Sequence, residues 1–194
     1  LYNNKIIHNS KIVCIDEGTP KGTGGALYKF KKLIKKDFLL INGDTYFDID
    51  ISKLLKNKFT DNICTVALTS NNNNKNNIKI NNLQINKNNK ILFTKKNSNL
   101  MNGGIYFFKK RIFKFFVKSK SSLENDILKD IIIRNKIHGV VFKEKFIDIG
   151  SHKSLIFLNK NQDFLKQKAI FLDRDGVINR LKKNDYIKNY NEFK

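Results

Sequence analysis

Two aspartates follow separate apolar segments and could together bind a hard cation. Asp44 lies in Ile41–Thr45 (INGDT), directly after an apolar run, and Asp148 lies in Phe146–Gly150 (FIDIG). Open α/β sheets bind ligands at the carboxyl ends of their strands, and carboxylate oxygens suit Mg²⁺. Asp44 could instead be a polar turn residue, and Asp148 could cap the helix that follows. The pair is more informative than either member, because two strand ends can share one cation.

Glycine-rich segments supply two further candidate binding sites. Glu17–Ala26 (EGTPKGTGGA) could let the backbone approach a ligand and present helix N-terminal amides to it, although a tight connection explains the same glycines. Asn102-Gly103-Gly104 opens an apolar run, where adjacent glycines usually mark a bulge or a close contact. Glu124 follows Ser121 at the spacing of a capping box, so helix capping is its default role.

A second pair of carboxylates lies near the end of the chain. The apolar run Ala169–Leu172 is followed by Asp173, Arg174, Asp175 and Gly176, which puts two carboxylates beside a tight turn. The apolar pattern restarts at this run. We therefore predict one domain over residues 1–167 and the start of a second over 168–194.

The elements that position these residues alternate between strand and helix patterns, which is typical of a layered α/β domain. Short apolar runs predict buried strands at Lys11–Asp16, Asp37–Asn42, Ile63–Leu68, Ile91–Phe93, Met101–Phe108 and Val140–Ile149. Helical spacing predicts helices at Ala26–Lys36, Ile51–Asn57 (capped by Asp50), Lys109–Lys118, Leu123–Lys136 and after Ser151. The Asn/Lys-rich stretch Ser70–Lys90 predicts an exposed loop or hairpin, with weak edge strands at Ile78–Ile80 and Leu83–Ile85.

Composition excludes some classes of protein. The net charge is +21, but the lysines are spread along the chain without an arginine-rich stripe, so we predict no nucleic-acid binding and only attraction of phosphorylated substrates. No apolar run approaches the ~20 residues of a membrane span. Cys14 and Cys64 lie in apolar runs, which predicts buried reduced thiols and a cytoplasmic protein. No leader precedes the first apolar run, and the start at Leu1 suggests a cut N-terminus.

In order, the segments PKGTGGA, LLINGDTYFDID, NGGIYFF, SLENDIL and FIDIG resemble the sugar-1-phosphate nucleotidyltransferase family, and among its members heptose-1-phosphate guanylyltransferases in particular. The resemblance runs through roughly residues 11–167. It implies a Rossmann-like three-layer α/β/α fold with a mixed, mostly parallel sheet. It also implies transfer of GMP from GTP to heptose 1-phosphate, with release of pyrophosphate.

The resemblance assigns roles to individual residues. Asp44 and Asp148 would hold the catalytic Mg²⁺. The nucleotide would be bound by Glu17, Gly22 and Thr23, with Glu17 reading the base, and the sugar by Asn102, Gly103, Gly104 and Glu124. Lys96 would bind phosphate, but Lys95 replaces a glutamate of the family that binds sugar. The N-terminal glycine-rich signature is expected before Leu1, so the chain alone should not be a competent transferase.

The C-terminal run Lys168–Asn179 (KAIFLDRDGVIN) resembles the first motif of haloacid-dehalogenase-type phosphatases, in particular heptose-1,7-bisphosphate phosphatases. The resemblance implies that Asp173 is a nucleophile, that Asp175 is an acid, and that both contribute to a Mg²⁺ site. The two resemblances would then describe consecutive steps of one pathway. A transferase for another base or sugar, a non-catalytic nucleotide-sugar-binding module and a basic nucleic-acid-binding protein are the alternatives, and homo-oligomerisation stays open.

Overall fold

The computed structural model of the chain describes residues 3–56, 61–70, 83–95, 98–116 and 119–164. The chain divides into two compact units, Leu1–Ile156 and Phe157–Lys194. Lys96, Asp173 and Asp175 lie outside the described residues, as do the strand predicted at 78–80 and the domain boundary after residue 167. Those assignments stay predictions.

The described residues form ten short strands and four α-helices. The strands are β1 (Ile6–Ile7), β2 (Ser10–Lys11), β3 (Phe38–Ile41), β4 (Thr45–Phe47), β5 (Cys64–Thr69), β6 (Leu83–Ile85), β7 (Ile91–Phe93), β8 (Met101–Phe108), β9 (Ile137–Phe142) and β10 (Phe146–Asp148). The helices are α1 (Gly22–Lys29), α2 (Ile51–Lys56), α3 (Lys129–Ile133) and α4 (His152–Lys160). The chain also forms 3₁₀ segments at Phe30–Lys32, Lys110–Phe115 and Gln162–Phe164, and a π-helical segment at Leu123–Leu128.

The central sheet has the strand order β3-β8-β5-β9. Strand β8 is antiparallel to both β3 and β5, whereas β5 and β9 are parallel. Three of these four strands run in the same direction, but two of the three neighbouring pairs are antiparallel, so the described sheet is mixed, as predicted, and not mostly parallel. Strand β3 lies at the edge of the sheet in the described part of the chain, and Ile41 is 50% exposed, so the expectation of a buried strand is wrong there.

Layers of apolar side chains cover both faces of this sheet. One cluster joins Val66 of β5 to residues of α1, the Lys110–Phe115 segment and the π-helical segment. The other joins Ala67, the next residue of β5, to Leu54 of α2 and Phe47 of β4. Because neighbouring strand residues point to opposite faces, β5 is buried from both sides. The arrangement agrees with the predicted three-layer α/β/α fold.

Two strand predictions need correction. Beyond Lys11 the run Lys11–Asp16 forms no strand. Ile12 still exchanges backbone hydrogen bonds with Lys5 and Asn4, but Asn4 has a φ of +61°, and Cys14 N donates to the Asn3 side chain instead of to a backbone carbonyl. Cys14 is consequently exposed, contrary to prediction, whereas Cys64 is buried. The predicted strand Val140–Ile149 is two strands, since the chain turns at residues 143–145 and β10 leaves the main sheet to pair with β4.

Helical segments occur near the predicted positions, but several of them are 3₁₀ or π-helical rather than α-helical. Helix α1 begins at Gly22 rather than Ala26 and gives way to a 3₁₀ turn after Lys29. The segments predicted at 109–118 and 123–136 contain a 3₁₀ segment and a π-to-α segment, respectively. Two predicted caps are confirmed: Ser52 N donates to Asp50 Oδ1, and Ser154 N donates to Ser151 Oγ.

Candidate active site

The carboxylates of Asp44 and Asp148 converge beside Gly150. A Cβ atom built on Gly150 would lie 2.8 Å from Asp44 Oδ2 and 3.0 Å from Asp148 Oδ1. Both oxygens are thus within 3.0 Å of one point. Asp44 is exposed and Asp148 is half-buried, so a ligand can reach both. The predicted pairing of these two residues is therefore present in the geometry.

The pairing of β4 with β10 explains why these aspartates meet. Thr45 of β4 lies opposite Asp148 of β10 in antiparallel register, and Ile149 N donates to Asp44 O at 2.8 Å. Asp148 Oδ1 accepts from Gly150 N at 2.8 Å. Because Ser151 caps α4, Asp148 is not its cap, and the alternative role considered for Asp148 is excluded.

The carboxylate oxygens of Asp44 and Asp148 are the donors available at this point. Such oxygens suit a hard cation that needs few protein ligands. Across the described ranges no group of three or more His, Cys, Asp or Glu side chains could hold a metal ion. Mg²⁺ commonly uses only one or two carboxylates and takes its remaining oxygens from water and substrate phosphates. Two carboxylates are therefore compatible with this mode of Mg²⁺ binding.

The glycine-rich segment at the start of α1 packs against another part of the chain. Gly24 N and Gly25 N donate to Ser121 O at 2.9 and 3.2 Å, and Ser121 N donates to Lys21 O. A Cβ on Gly22 would lie 2.6 Å from Ser121 O. These glycines thus serve a close contact within the protein. Packing against this distant segment, rather than a tight connection to a preceding strand, explains these glycines, and the amides of Gly24 and Gly25 already donate hydrogen bonds within the protein.

Glu124 faces the same segment instead of capping its own helix. Ser122, not Ser121, is the cap, because Asn125 N donates to Ser122 Oγ. Thr23 Oγ1 donates to Glu124 Oε2 at 2.9 Å and accepts from Leu123 N at 2.8 Å. The default capping role of Glu124 is therefore wrong, and the structure joins two predicted site residues, Thr23 and Glu124, directly.

Asn102 belongs to a hydrogen-bonded group at the start of β8. Its Nδ2 donates to the Tyr106 hydroxyl at 2.6 Å, and its Oδ1 accepts from Gly104 N at 3.0 Å. Burial raises the pKa of Tyr106 well above its usual range, the Asn102 hydrogen bond opposes this rise, and the negative charge of Glu124 adds to it.

Gly103 and Gly104, which follow Asn102, form both a bulge and close contacts, the two features that adjacent glycines predict. The register between β5 and β8 shifts here, and Gly104 has a φ of +71°, which only glycine adopts readily. A Cβ on Gly104 would lie 3.0 Å from Thr45 Oγ1, beside the loop that carries Asp44. A Cβ on Gly103 would overlap the Phe47 ring. Gly104 therefore adjoins the aspartate loop, and Gly103 packs against Phe47.

Glu17 is half-buried, and its Oε2 atom is buried with no hydrogen-bond partner in the described part of the chain. Lys95 is exposed in the loop between β7 and β8. Sequence reasoning did not single out Gly150, Thr45 or Tyr106, although all three lie within or beside the motifs FIDIG, NGDTY and NGGIY. Their roles depend on contacts between distant segments.

In the described residues, no helix has the length and apolar character needed to cross a membrane.

Known proteins resemble the chain in sequence and in fold. Residues 2–164 match the nucleotidyl transferase family. A D-glycero-alpha-D-manno-heptose 1-phosphate guanylyltransferase of Campylobacter jejuni subsp. jejuni serotype O:2 is 34% identical over 137 residues. The bifunctional protein GlmU of Methanocaldococcus jannaschii is 30% identical over 167 residues. Crystal structures of HddC from Yersinia pseudotuberculosis, without and with GMP-PN, are 26% identical and superimpose with TM-scores of 0.63 and 0.60.

These similarities cover most of this chain but only part of the relatives. The aligned regions are 69% of this chain and 60% of the Campylobacter protein, and 79% of this chain and 38% of GlmU. For HddC they are 79% of this chain and 68% of that protein. Since the family match extends over more than half of the sequence, the chain belongs to the nucleotidyl transferase family.

Proposed function

We propose that the chain is the nucleotidyl-transferring domain of an enzyme that moves GMP from GTP to heptose 1-phosphate. The observation that carries this proposal is the convergence of Asp44 and Asp148 on one point, at an edge that substrates can reach. The names of the Campylobacter guanylyltransferase and of the GMP-PN complex of HddC support guanine as the base and heptose as the sugar.

In the proposed reaction a phosphate oxygen of the sugar 1-phosphate attacks the α-phosphorus of GTP. A new P–O bond forms, the bond from the α-phosphorus to the β-phosphate oxygen breaks, and pyrophosphate leaves with that electron pair. The reaction needs alignment of two anions and neutralisation of their charge, rather than covalent participation of the protein. Asp44 and Asp148 would hold Mg²⁺, which supplies that neutralisation when bound.

The other predicted residues would position the two substrates. Glu17 would accept hydrogen bonds from the guanine edge, an assignment supported by its Oε2 atom having no donor in the described part of the chain. Gly22 and Thr23 would lie along the base, and Asn102, Gly104 and Glu124 along the sugar. Gly103 would act only through its backbone, since Phe47 covers it. Lys96 is proposed as a phosphate ligand from sequence alone.

The decisive experiment is to replace each aspartate in the full natural protein that contains this chain. We expect Asp44→Asn and Asp148→Asn each to lower the rate of pyrophosphate release by at least about 10²–10³-fold, the cost of removing one transition-state contact. Asp48→Asn is the matched control, because Asp48 is an exposed aspartate beyond β4. Near-normal turnover of both site variants, with GTP and heptose 1-phosphate, would contradict the proposal.

Transfer from another base or to another sugar is the second candidate, because the chain is also similar over 167 residues to GlmU, a protein whose name specifies neither guanine nor heptose. A panel of GTP, CTP, UTP, dTTP and ATP with several sugar 1-phosphates separates the two candidates. A preference for GTP and heptose supports the first. A preference for any other pair keeps the transferase chemistry but reassigns its substrates.

For residues 168–194 we propose the first motif of a heptose-bisphosphate phosphatase, supported by the sequence DRDG alone. Asp173 would attack phosphorus, and Asp175 would protonate the leaving oxygen. Phosphate release from heptose 1,7-bisphosphate by the full natural protein, abolished by Asp173→Asn with transferase activity retained, would support this assignment. Equal phosphate release by Asp173→Asn and by the unmodified protein would contradict the phosphatase assignment.

A further inference from the structure

A cleft of about 860 Å³ lies between the end of α1 and the 3₁₀ segment Lys110–Phe115. Six of its lining residues are cationic and none is acidic: Lys29, Lys31, Lys32, Lys110, Arg111 and Lys114. Small-molecule sites commonly have volumes of about 300–1,000 Å³. The cleft is thus large enough for a small ligand and lined by one sign of charge.

This cleft lies at the opposite end of the sheet from the candidate active site. Lys110 follows Phe108, the last residue of β8, which pairs with Phe38 and Cys64, the first residues of β3 and β5. Asp44 instead follows the last residue of β3. The cleft is therefore separate from the converging carboxylates.

The cations of the cleft are held in place, and acidic side chains compensate their charge only in part. Lys29 Nζ donates to Asp16 O at 2.6 Å, and Arg111 Nη2 donates to Asn62 O at 2.7 Å. Both acceptors are backbone carbonyls, so these bonds orient the cations without neutralising them. The Asp61 carboxylate, whose pKa is lowered mainly by Lys136, also interacts with Arg111. Asp37 accepts from the backbone N of Lys110, yet Asp37 does not line the cleft. Within the described residues, the ion pairs Arg134–Asp130 and Lys136–Asp61 include none of the lining cations.

The two aromatic residues of the cleft do not offer a free face for stacking a base. Tyr28 stacks on Phe116 with ring centroids 5.8 Å apart, and Lys31 Nζ lies 5.3 Å from the Tyr28 centroid. Phe113 is buried and stacks on Phe38 at 5.9 Å. A ligand would consequently be recognised through its anionic groups rather than through a stacked ring.

We propose that this cleft binds a multiply phosphorylated small molecule through its phosphates. Lysine and arginine donate charge-assisted hydrogen bonds to phosphate oxygens, and several cations around one concavity repel each other until a polyanion binds. Nucleoside triphosphates and inorganic tripolyphosphate share this chemistry. Because no ring face is free, both should bind with similar affinity.

Calorimetric titration of the 194-residue chain tests the proposal, with tripolyphosphate and GTP as probes at about 0.15 M salt and with EDTA to remove metal. The double variant Lys32→Glu/Lys114→Glu should lose at least tenfold in affinity for both probes. The control Lys129→Glu/Lys143→Glu reverses two exposed lysines outside the cleft and has the same net charge, so it should bind as the unmodified chain does. Circular dichroism checks that both variants fold.

Three results would overturn the proposal. An equal loss in both double variants would mean that the probes respond to the overall charge of +21 rather than to the cleft. Unchanged binding in the cleft variant would mean that the probes bind elsewhere. Tighter binding of a single-stranded DNA oligonucleotide than of tripolyphosphate, lost in the cleft variant, would reassign the surface to nucleic acid.

Discussion

Gly150 and Gly25 both stand in motifs that the sequence marks as candidate sites, but their neighbours differ. A Cβ on Gly150 would lie 2.8 Å from Asp44 Oδ2, an exposed side-chain atom. A Cβ on Gly25 would lie 2.5 Å from Ser119 O, a backbone atom of a distant segment. The first glycine leaves room for two carboxylates to meet, whereas the second lets two segments of backbone pack together.

The difference implies that Gly150 matters for ligand binding and Gly25 for folding. A side-chain oxygen at the surface can move away from an added methyl group at little cost, but then it leaves the position in which it could share a cation. A backbone carbonyl held by packing cannot move without disturbing the segment. Equivalent Gly→Ala substitutions should therefore affect ligand binding at one position and the free energy of unfolding at the other.

The largest expected effect is on stability, at Gly25. Gly25→Ala should lower the free energy of unfolding by about 1–3 kcal/mol, the usual cost of overpacking. Alanine is favoured over glycine in helices by about 1 kcal/mol, so any net loss means that the overlap with Ser119 dominates. Urea unfolding of the 194-residue chain measures the change. Gly43→Ala is the control, because a Cβ there meets no atom within 4 Å. Equal stability of the two variants would contradict the close packing of this segment.

The next effect is on metal binding, at Gly150. Gly150→Ala should weaken Mn²⁺ binding in the presence of GTP by about 10–100-fold, the cost typical of disturbing the surroundings of metal ligands. Its free energy of unfolding should change by less than about 0.5 kcal/mol, as for most surface substitutions. Electron paramagnetic resonance of Mn²⁺ with the full natural protein measures the affinity. Gly25→Ala should keep that affinity, and a comparable loss in both variants would remove the distinction between the two glycines.

Local sequence patterns predict the strands and caps of this fold well. Strands β3, β5, β7 and β8 lie where short runs of β-branched and aromatic residues occur, and Asp50 and Ser151 cap the helices that follow them. The start of α1 at Gly22 is not predictable in this way, because glycine disfavours helices. The helix begins there because Ser121 O, from a segment far along the chain, accepts from its first-turn amides.

The candidate site depends even more on distant contacts. Asp44 and Asp148 meet because β4 pairs with β10, and no local pattern specifies that pairing. Their positions after two apolar runs predict only that they could share a cation, and the family resemblance assigns that cation as the catalytic Mg²⁺. The adjacent serines at 121 and 122 illustrate the same limit, because Ser121 with Glu124 and Ser122 with Asn125 both have the spacing of a cap. Only the fold directs Glu124 toward Thr23, across a sequence separation of 101 residues.

The smallest expected effect concerns Thr23, which connects the tightly packed segment to a predicted sugar ligand. Thr23→Val keeps the shape but removes the hydroxyl that accepts from Leu123 N and donates to Glu124 Oε2. We expect a loss of about 0.5–1.5 kcal/mol in the free energy of unfolding, the usual net value of a hydrogen bond. Thr23→Ser, which keeps the hydroxyl, should recover most of it in urea unfolding. In the full natural protein, Thr23→Val should also raise the KM for the sugar phosphate more than Thr23→Ser does, because Glu124 Oε2 then keeps only the hydrogen bond from Ser122 Oγ. If the valine and serine variants have the same stability and the same KM, the hydroxyl orients nothing, and the packed segment and the sugar site are independent.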